Sequence, residues 1–417
     1  MFKLLRKYPH LLLFGLLTAA FSGPGQTFLV SLFIGPMRET FGYSQSGIAS
    51  IYSAATLVSA CILPIHGRLL DRVRLVWFTL AAGFLLAMGC LLLSGSRNFL
   101  FIFFGFLLVR NLGQGTLTMI SSTTMARIFG NVRGKALGIA SIGYPLSEAI
   151  FPFLVSSWIL KYGWRSGWMF LAVLILVFFS PAALFLLRKD REKKVFRIFS
   201  KKSGMDAIRS NNRHGKTLTE DFDWRIRDVI RDWRYYVVQV PILITPAFLT
   251  ALFFHQTSLI TWKGWNIQTV SAGFIAFAAG RAFVSLMIGP LIDRYSAKAL
   301  FPLILIPLGL GILCFVKGND ICWAFVYLTG AGLSMGLNMT IVGALWAELY
   351  GVKYLGSLKG LQSAITVFST AVAPLIFGIL LDAEVKPHFL LWGMILIILF
   401  GTGLAMFVSR KTVKIIV

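Results

Sequence analysis

The chain has 417 residues, of which 57% are hydrophobic and 13% are charged, and its mean hydropathy is +0.78. Soluble domains carry about 25% charged residues, so this composition excludes a water-soluble globular protein and indicates a membrane protein. The formal net charge of +24 comes from basic clusters in every second gap between apolar runs. That distribution is typical of cytoplasmic loops and argues against a nucleic-acid partner.

A membrane-spanning helix needs about 20 mostly apolar residues. Twelve runs meet this requirement, and no alternation of period 2 competes with the helical reading. They lie at 10–34, 46–66, 75–95, 99–125, 136–160, 167–187, 237–261, 268–290, 299–317, 321–346, 357–381 and 388–409. The first run lacks a small-residue cleavage site, so it is predicted to be a spanning helix and not a cleaved signal. The predicted fold is therefore an all-α polytopic membrane protein with twelve transmembrane helices.

The basic residues predict the topology of these helices. With the N-terminus inside, inside segments hold 31 of the 40 Lys and Arg, outside segments hold seven, and Arg110 and Arg281 lie within apolar runs. Because cytoplasmic loops carry the excess of Lys and Arg, both termini are predicted to be cytoplasmic. We expect a multi-pass protein of the cytoplasmic (inner) membrane if the source is bacterial.

A tandem repeat divides the chain. Gly67–Arg72 reads Gly-x-x-x-Asp-Arg, and Gly289–Arg294 repeats this pattern 222 residues later. The same offset maps Pro152 onto Pro374. One offset that relates several landmarks predicts two pseudo-symmetric six-helix halves, 1–187 and 237–417, joined by a linker at 188–236.

The linker is predicted to be a basic cytoplasmic segment, with fifteen basic and eight acidic residues in 188–234. Between Glu220 and Arg234 the apolar residues recur at helical spacing, which predicts an amphipathic helix on the inner leaflet. Its apolar face would contain Phe222, Ile226, Val229, Ile230 and Trp233. A solvated linker is the alternative, especially for 189–216.

Three ionisable residues lie deep within predicted helices: Arg110, Glu148 and Arg281. Each falls ~16–20 Å into a ~30 Å hydrocarbon core, close to the midplane. Facing lipid would cost each ~2.5–3.5 kcal/mol, so we expect all three to face the bundle interior or a wet cavity. Predicted helices 4 and 5 are consecutive, so Arg110 and Glu148 are expected to pair at the same depth.

Arg281 has no acidic residue at its depth in the second half, and it is predicted to bind an anionic group of the substrate. Protonation of Glu148 would free Arg110 for an anion, which predicts proton coupling through these two residues. The structural alternatives are a buried pair that fixes packing and, for Arg281, a hydrogen-bonded packing residue.

Uncharged or weakly basic polar residues in the apolar runs complete the candidate substrate site, although interhelical hydrogen bonding is an alternative for each of them. They are Gln26, Asn111, Gln114, Tyr144, His255, Gln256, Asn338 and Gln362.

Twelve helices, two halves, a central cytoplasmic loop and the twin Gly-x-x-x-Asp-Arg motif resemble the major facilitator superfamily. Arg133–Gly138 is similar to the Arg-Gly-x-Ala-x-Gly signature of the monocarboxylate and oxalate-formate branches. In those branches a substrate-facing basic residue falls where Arg281 stands. The chain departs from the family pattern in having no Gly after Arg72, and Gly23-Pro24-Gly25 replaces the helix 1 signature of these branches. The resemblance implies alternating access about a site near the midplane.

The twin motif also predicts a gate. Gly67 is expected to let helix 2 approach a neighbouring helix closely. The resemblance implies that Asp71 faces the start of a helix in the other half and latches the cytoplasmic side. A membrane-edge ion pair is the alternative. The predicted gating residues are Gly67, Asp71, Arg72, Asp293, Arg294 and Glu348, of which Glu348 is expected to act as a gate or to form a salt bridge with a loop Arg.

Signatures of enzymes are absent from the sequence, including a phosphate-binding Gly-x-x-x-x-Gly-Lys-Ser/Thr loop and a zinc-ligand spacing. We therefore expect no catalytic activity and no cofactor. The sequence predicts a monomeric secondary transporter of a small organic anion, such as a carboxylate, with proton coupling or exchange. The alternatives are an efflux transporter for drugs, siderophores or other amphipathic solutes, and a receptor or scaffold.

Overall fold

The computed structural model describes residues 6, 8–129, 133–187, 224, 226–350 and 355–411, and all regular secondary structure in these residues is helical. Twelve described stretches are long and apolar enough to cross a membrane, which confirms the predicted number. We number them α1 Pro9–Phe41, α2 Gln45–Gly67, α3 Leu75–Ser94, α4 Phe99–Met125, α5 Ala136–Tyr162, α6 Trp164–Leu186, α7 Trp233–Phe254, α8 Ile267–Gly289, α9 Ala297–Lys317, α10 Cys322–Tyr350, α11 Leu361–Asp382 and α12 Pro387–Arg410.

The chain forms two compact units, and several spans contribute a segment to each. Unit 1 consists of 1–26, 58–147 and 158–220, and unit 2 consists of 27–57, 148–157 and 221–417. Unit 1 contains the helices Pro9–Ala20, Leu75–Ser94, Phe99–Leu108, Thr118–Ile128, Arg133–Ser141, Trp164–Leu174 and Ser180–Leu186, two π-helical segments Val109–Leu117 and Ile175–Phe179, and the 3-10 turn Gly23–Gly25. Unit 2 contains the helices Thr27–Phe41, Ile226–Arg231, Trp233–Phe254, Gln256–Lys263, Ile267–Ala272, Phe274–Tyr295, Ala297–Leu300, Ile306–Lys317, Cys322–Tyr350, Leu355–Asp382 and Pro387–Lys411, and the 3-10 segment Phe301–Ile304.

Span α1 is interrupted near its middle. Its first helix ends at Ala20, and the turn Gly23–Gly25 follows before helix starts again at Thr27. Pro24 lacks a backbone N–H and its ring excludes a normal helical turn, which explains the break. The turn lies against the π-helical segment of α4: a Cβ atom on Gly25 would lie 2.4 Å from backbone atoms of that segment. Only glycine allows this contact between two backbones.

The π-helical segment Val109–Leu117 carries the charged and amide side chains of α4. A π-helical turn places one extra residue in the helix and frees backbone groups, so such turns are common at functional sites. Thr116 Oγ1 donates to the carbonyl of Asn111 at 2.9 Å, which satisfies one of these groups. The segment therefore presents Arg110 toward the α1 turn without leaving the carbonyl of Asn111 unpaired.

The end of the linker docks on unit 2. Trp224 donates its backbone N–H to the carbonyl of Tyr350 at 3.2 Å, and the two rings meet edge to face. Val229 is 1% exposed, whereas Ile230 and Trp233 are 41% and 59% exposed. Val229 therefore packs inside, whereas Ile230 and Trp233 are exposed, and the single apolar face on the inner leaflet stays a prediction. Phe222 and most of the linker lie outside the described residues.

Candidate substrate-binding site

The most deeply placed charges of unit 2 form an ion pair between α5 and α8. Arg281 Nη1 donates to Glu148 Oε1, and the two side chains are 11% and 7% exposed. Both residues lie near the middle of their spans, as the sequence predicts. The sequence analysis found no acidic residue at this depth in the second half, and the partner of Arg281 comes instead from α5, 133 residues earlier in the chain.

Glu148 has hydrogen-bonding capacity that the described residues do not use. Glu148 Oε2 is buried and accepts no hydrogen bond from any described group. Arg281 Nη2 donates to Met339 Sδ at 3.0 Å, and a thioether is a weak acceptor. A buried carboxylate oxygen without a donor costs about 1–3 kcal/mol. The pair can therefore gain stabilisation from a proton on Glu148.

Arg110 belongs to unit 1 and donates a hydrogen bond to the turn in α1. Its side chain is 1% exposed, and Nη1 donates to the carbonyl of Gly25 at 2.9 Å. A broken transmembrane helix frees carbonyl groups that need a donor from the protein. Within unit 2, Glu148 accepts its hydrogen bond from Arg281, and the expected pairing of Arg110 with Glu148 stays a prediction. The sequence predicted that both arginines lie near the middle of their spans, but it did not identify the groups to which they donate.

Other predicted site residues of unit 1 are buried or half-buried. Asn111 Nδ2 donates to the carbonyl of Ser59 at 3.1 Å, and Gln26 Nε2 donates to Ser22 Oγ at 3.4 Å. Gln114 and Tyr144 are half-buried. The hydrogen bonds of Asn111 and Gln26 favour the packing alternative that the sequence left open.

In unit 2, the polar residues of α10 and α11 make local bonds. Asn338 Nδ2 donates to the carbonyl of Ile242 at 3.0 Å, which joins α10 to α7. Gln362 Nε2 donates to Thr366 Oγ1 at 3.2 Å. Gln362 Oε1 is buried and has no hydrogen-bond partner among the described residues. These hydrogen bonds do not reach the Arg281–Glu148 pair.

His255 and Gln256 follow α7 and contact other helices of unit 2. The ring of His255 is fully buried, with Nε2 2.8 Å from the carbonyl of Pro374 and Nδ1 3.1 Å from Gln45 Oε1. Gln256 Nε2 donates to Ser31 Oγ at 2.8 Å. These bonds join the end of α7 to α1, α2 and α11, so the two residues belong to a second polar cluster.

The repeated loop motif shows no close helix approach. A Cβ atom on Gly67 would meet only Met119 Sδ, at 3.7 Å, and one on Gly289 would meet nothing within 4 Å. The expected role of Gly67 in close packing is therefore wrong. The guanidinium of Arg294 lies 5.2 Å from the ring centre of Tyr295. The side chains of Asp71, Arg72 and Asp293 lie outside the described part of the chain.

Glu348 caps the start of α9. Its carboxylate accepts from the backbone N–H groups of Ala297 at 2.7 Å and of Lys298 at 3.0 Å. A carboxylate at a helix N-terminus satisfies free donors and interacts favourably with the helix dipole. The expected salt bridge with a loop Arg is wrong, since the observed partners are backbone groups.

Comparison with known proteins establishes the class. The sequence profile of the Major Facilitator Superfamily matches residues 13–263 and 259–414, so the chain belongs to this family. Membership of this family identifies the protein as a membrane transporter. A crystal structure of the nucleoside transporter NupG has the same fold, with a TM-score of 0.68 at 12% identity and coverage of 96% of this chain and 98% of that one.

Individual relatives match only part of the sequence. Monocarboxylate transporter 9 of Rattus norvegicus is 30% identical over 125 residues, which is 30% of this chain and 25% of that protein. The probable plastidic glucose transporter 1 of Arabidopsis thaliana is 31% identical over 133 residues, or 30% of this chain and 24% of that protein. The chain thus aligns with about a quarter of the length of these relatives.

Sequence reasoning missed the residues that complete the second polar cluster. Asp382, at the end of α11, accepts from the backbone N–H groups of Gln45 and Ser46 at 2.9 and 2.7 Å. A charged residue at the end of an apolar run signals a membrane boundary. Its partners lie 337 and 336 residues away, so no local pattern could have revealed the contact.

Proposed function

We propose that this transporter moves a small organic anion, such as a carboxylate, by alternating access and couples its movement to a proton on Glu148. The observation that carries the proposal is the buried ion pair of Arg281 and Glu148, in which one carboxylate oxygen has no donor among the described residues. A structural ion pair of this kind is costly to bury, so its place at mid-span favours a functional role.

The chemistry of Arg281 suits a carboxylate ligand. The planar guanidinium presents parallel N–H donors that match a carboxylate in two hydrogen bonds. In the empty site Glu148 supplies such an acceptor from within the protein. Protonation would neutralise Glu148, and Arg281 would then need another anion. A substrate carboxylate can take that place, because it offers the same acceptor geometry.

Charge balance makes the proton and the anion bind together. The empty site holds one positive and one negative side chain, and the loaded site would hold Arg281, the substrate anion and a neutral Glu148. Either ligand alone would leave an uncompensated buried charge, which costs about 3–5 kcal/mol. The arrangement therefore favours coupled movement and suppresses transport of either ligand alone.

The names of the similar proteins point to different substrates. Monocarboxylate transporter 9 is named for an anion, whereas the glucose and nucleoside transporters are named for uncharged solutes. Neither the matched regions nor the sequence identities distinguish an anion from an uncharged solute as the substrate of this chain. We propose an anionic substrate because of Arg281, since a neutral solute would not interact with the positive charge of this residue.

We also propose the arrangement of halves, linker and termini that the sequence predicts. The halves are 1–187 and 237–417 with a linker at 188–236, and both termini are cytoplasmic. The protein works as a monomer, in the inner membrane if it is bacterial. These features follow from the sequence repeat and the distribution of Lys and Arg.

Ligand-dependent thermal stability tests the substrate class. The purified protein would be melted at pH 6 with lactate, oxalate or succinate, and with uridine and glucose as neutral comparisons. A bound ligand stabilises by mass action, so at least one carboxylate should raise Tm while uridine and glucose should not. Stabilisation by uridine or glucose with none by any of the three carboxylates would overturn the proposal.

Transport in proteoliposomes tests the coupling. Uptake of the stabilising carboxylate should accelerate when the outer medium is acidified, and the sign of this response gives the direction of coupling. Deletion of 195–215 should leave uptake intact. Loss of uptake in the deletion, with normal folding, would instead favour a role for the linker in recruiting a partner.

A further inference from the structure

The backbones of α8 and α10 touch at glycines on both helices. A Cβ atom on Gly332 of α10 would overlap the carbonyl oxygen of Phe277 in α8. One on Gly336 would lie 2.8 Å from the carbonyl oxygen of Arg281, and one on Gly280 would lie 3.0 Å from a carbonyl oxygen of α10. Gly332 and Gly336 form a Gly-x-x-x-Gly pair, which lets two helices in a membrane approach to backbone contact. A residue with a side chain at either position would separate α10 from α8.

Helix α10 contacts Arg281 at both of its ends. Gly336 lies against the backbone carbonyl of Arg281. Met339, about one turn further along α10, accepts from Arg281 Nη2 at 3.0 Å. Glu148 of α5 accepts from Nη1 of the same guanidinium. Because a side chain extends from its own backbone, the place of the guanidinium depends on how closely α10 approaches α8.

The first half of the chain is built differently at the equivalent positions. The 222-residue offset maps Arg110 onto Gly332 and Ser59 onto Arg281. In unit 1 the carbonyl of Ser59 accepts from Asn111 Nδ2 at 3.1 Å, so a side chain joins α2 to α4 at this level. In unit 2 the corresponding helices meet by direct backbone contact instead. The glycine contact is therefore not a general feature of the repeat, and it occurs in the half that carries Arg281.

We propose that Gly332 and Gly336 are positioning residues for Arg281, because they let α10 approach α8 closely enough to hold the guanidinium where it meets a carboxylate. The proposal rests on the function proposed above, in which Arg281 binds the substrate. A methyl group at either position would push the helices apart and move the guanidinium away from Glu148 and from a substrate. A displacement on the order of 1 Å is enough to weaken a doubly hydrogen-bonded ion pair strongly. Glycine offers no side chain to a ligand, so the effect would act through Arg281.

Solid-state NMR of the ion pair tests the positioning without a substrate. The full-length protein in proteoliposomes at alkaline pH would carry nitrogen-15 in the arginine guanidinium groups and carbon-13 in the glutamate carboxylates. Rotational-echo double-resonance measurements then detect guanidinium nitrogens that contact a carboxylate, and Glu148→Gln identifies the part of the signal that comes from Arg281 and Glu148. Gly332→Ala and Gly336→Ala should each lose most of this part, because the dipolar coupling falls steeply with distance.

Binding measurements test whether the glycines act through Arg281. Titration calorimetry would use whichever of lactate, oxalate and succinate stabilises the parent. Gly336→Ala should weaken binding of that carboxylate about tenfold, because the guanidinium is misplaced. In the Arg281→Ala background the same substitution should weaken binding no further, since two changes that act through one group are not additive.

Matched glycine variants control for general effects of substitution. A Cβ atom on Gly343 of α10 or on Gly403 of α12 would meet nothing within 4 Å, so Gly343→Ala and Gly403→Ala should keep the parent signal and affinity. Melting curves would verify that each variant is folded. If Gly332→Ala does not fold, Gly336→Ala decides, because its nearest contact is the side chain of Val284, which can turn aside.

Two kinds of result would overturn the proposal. One is a parent-like NMR signal in folded Gly336→Ala, or an equal loss of signal in Gly343→Ala. The other is an unchanged carboxylate affinity in Gly336→Ala, or a further loss of affinity when Gly336→Ala is added to Arg281→Ala. A lost NMR signal in a protein whose parent binds no carboxylate would support the positioning of Arg281 and overturn the proposed substrate class, so the two proposals fail separately.

Discussion

The two mid-span arginines show how a partner decides the role of a residue. Arg110 donates to a backbone carbonyl in unit 1, and Arg281 donates to a carboxylate in unit 2. A carbonyl cannot take up a proton, so protonation cannot release Arg110 from the carbonyl of Gly25. A carboxylate can take up a proton, so the contact of Arg281 can be exchanged for another anion. Equal depth and equal charge are therefore compatible with different roles, and we propose packing for Arg110 and substrate binding for Arg281.

The largest effect is expected where Arg110 supports the α1 turn. Gly25→Ala would place a Cβ atom 2.4 Å from Gln114 N and from the carbonyl oxygen of Val109. Because both atoms belong to a backbone, we expect a loss of about 3 kcal/mol or more in the free energy of unfolding. Size-exclusion chromatography and melting of the variant should show this loss, with Gly403→Ala as the matched control. A parent-like Tm would contradict the rigid packing of the turn.

Alanine variants of the two arginines should separate binding from stability. Arg281→Ala should weaken binding of the stabilising carboxylate about 100-fold, because a doubly hydrogen-bonded ion pair is lost, or about 2.7 kcal/mol. Arg110→Ala should instead lower the free energy of unfolding by about 1–3 kcal/mol, because the carbonyl of Gly25 loses a donor. Titration calorimetry and melting curves measure the two quantities. Equal loss of binding in both variants would remove the distinction.

Glu148→Gln tests whether Glu148 is the residue that carries the coupled proton. Glutamine resembles the protonated acid and no longer holds Arg281 by charge. Carboxylate binding at pH 7.5 should therefore tighten about tenfold relative to the parent, or about 1.4 kcal/mol, and should no longer weaken as the pH rises. Proton-driven uptake should be lost. Binding that keeps the parent pH dependence in Glu148→Gln would place the coupling proton elsewhere.

The smallest effect is expected at the sulfur contact of Arg281. Met339→Leu keeps the volume of the side chain and removes a weak acceptor at 3.0 Å from Nη2. Carboxylate affinity should change less than threefold, because the substrate is expected to replace this contact. A change as large as that in Arg281→Ala would mean that Met339 positions the guanidinium.

The sequence predicted the large-scale features of this protein. The length and number of apolar runs determined twelve spans, because the bilayer core fixes how many residues a helix needs to cross it. The repeated motif indicated the family, which the sequence profile confirmed. The depth of Arg110, Glu148 and Arg281 was also readable, since residue position along a helix converts directly into distance across the membrane.

Only the tertiary structure decided which side chains meet. Glu148 joins Arg281 across 133 residues, and Asp382 joins the start of α2 across 337. A helical pattern gives depth and an apolar face, but the partner depends on which helices are neighbours and how each is rotated about its axis. Pro24 likewise indicated the break in α1 from the sequence alone. The hydrogen bond from Arg110 to the carbonyl of Gly25 at this break became evident only in the tertiary structure. The sequence therefore located the charges in depth, and packing assigned their partners.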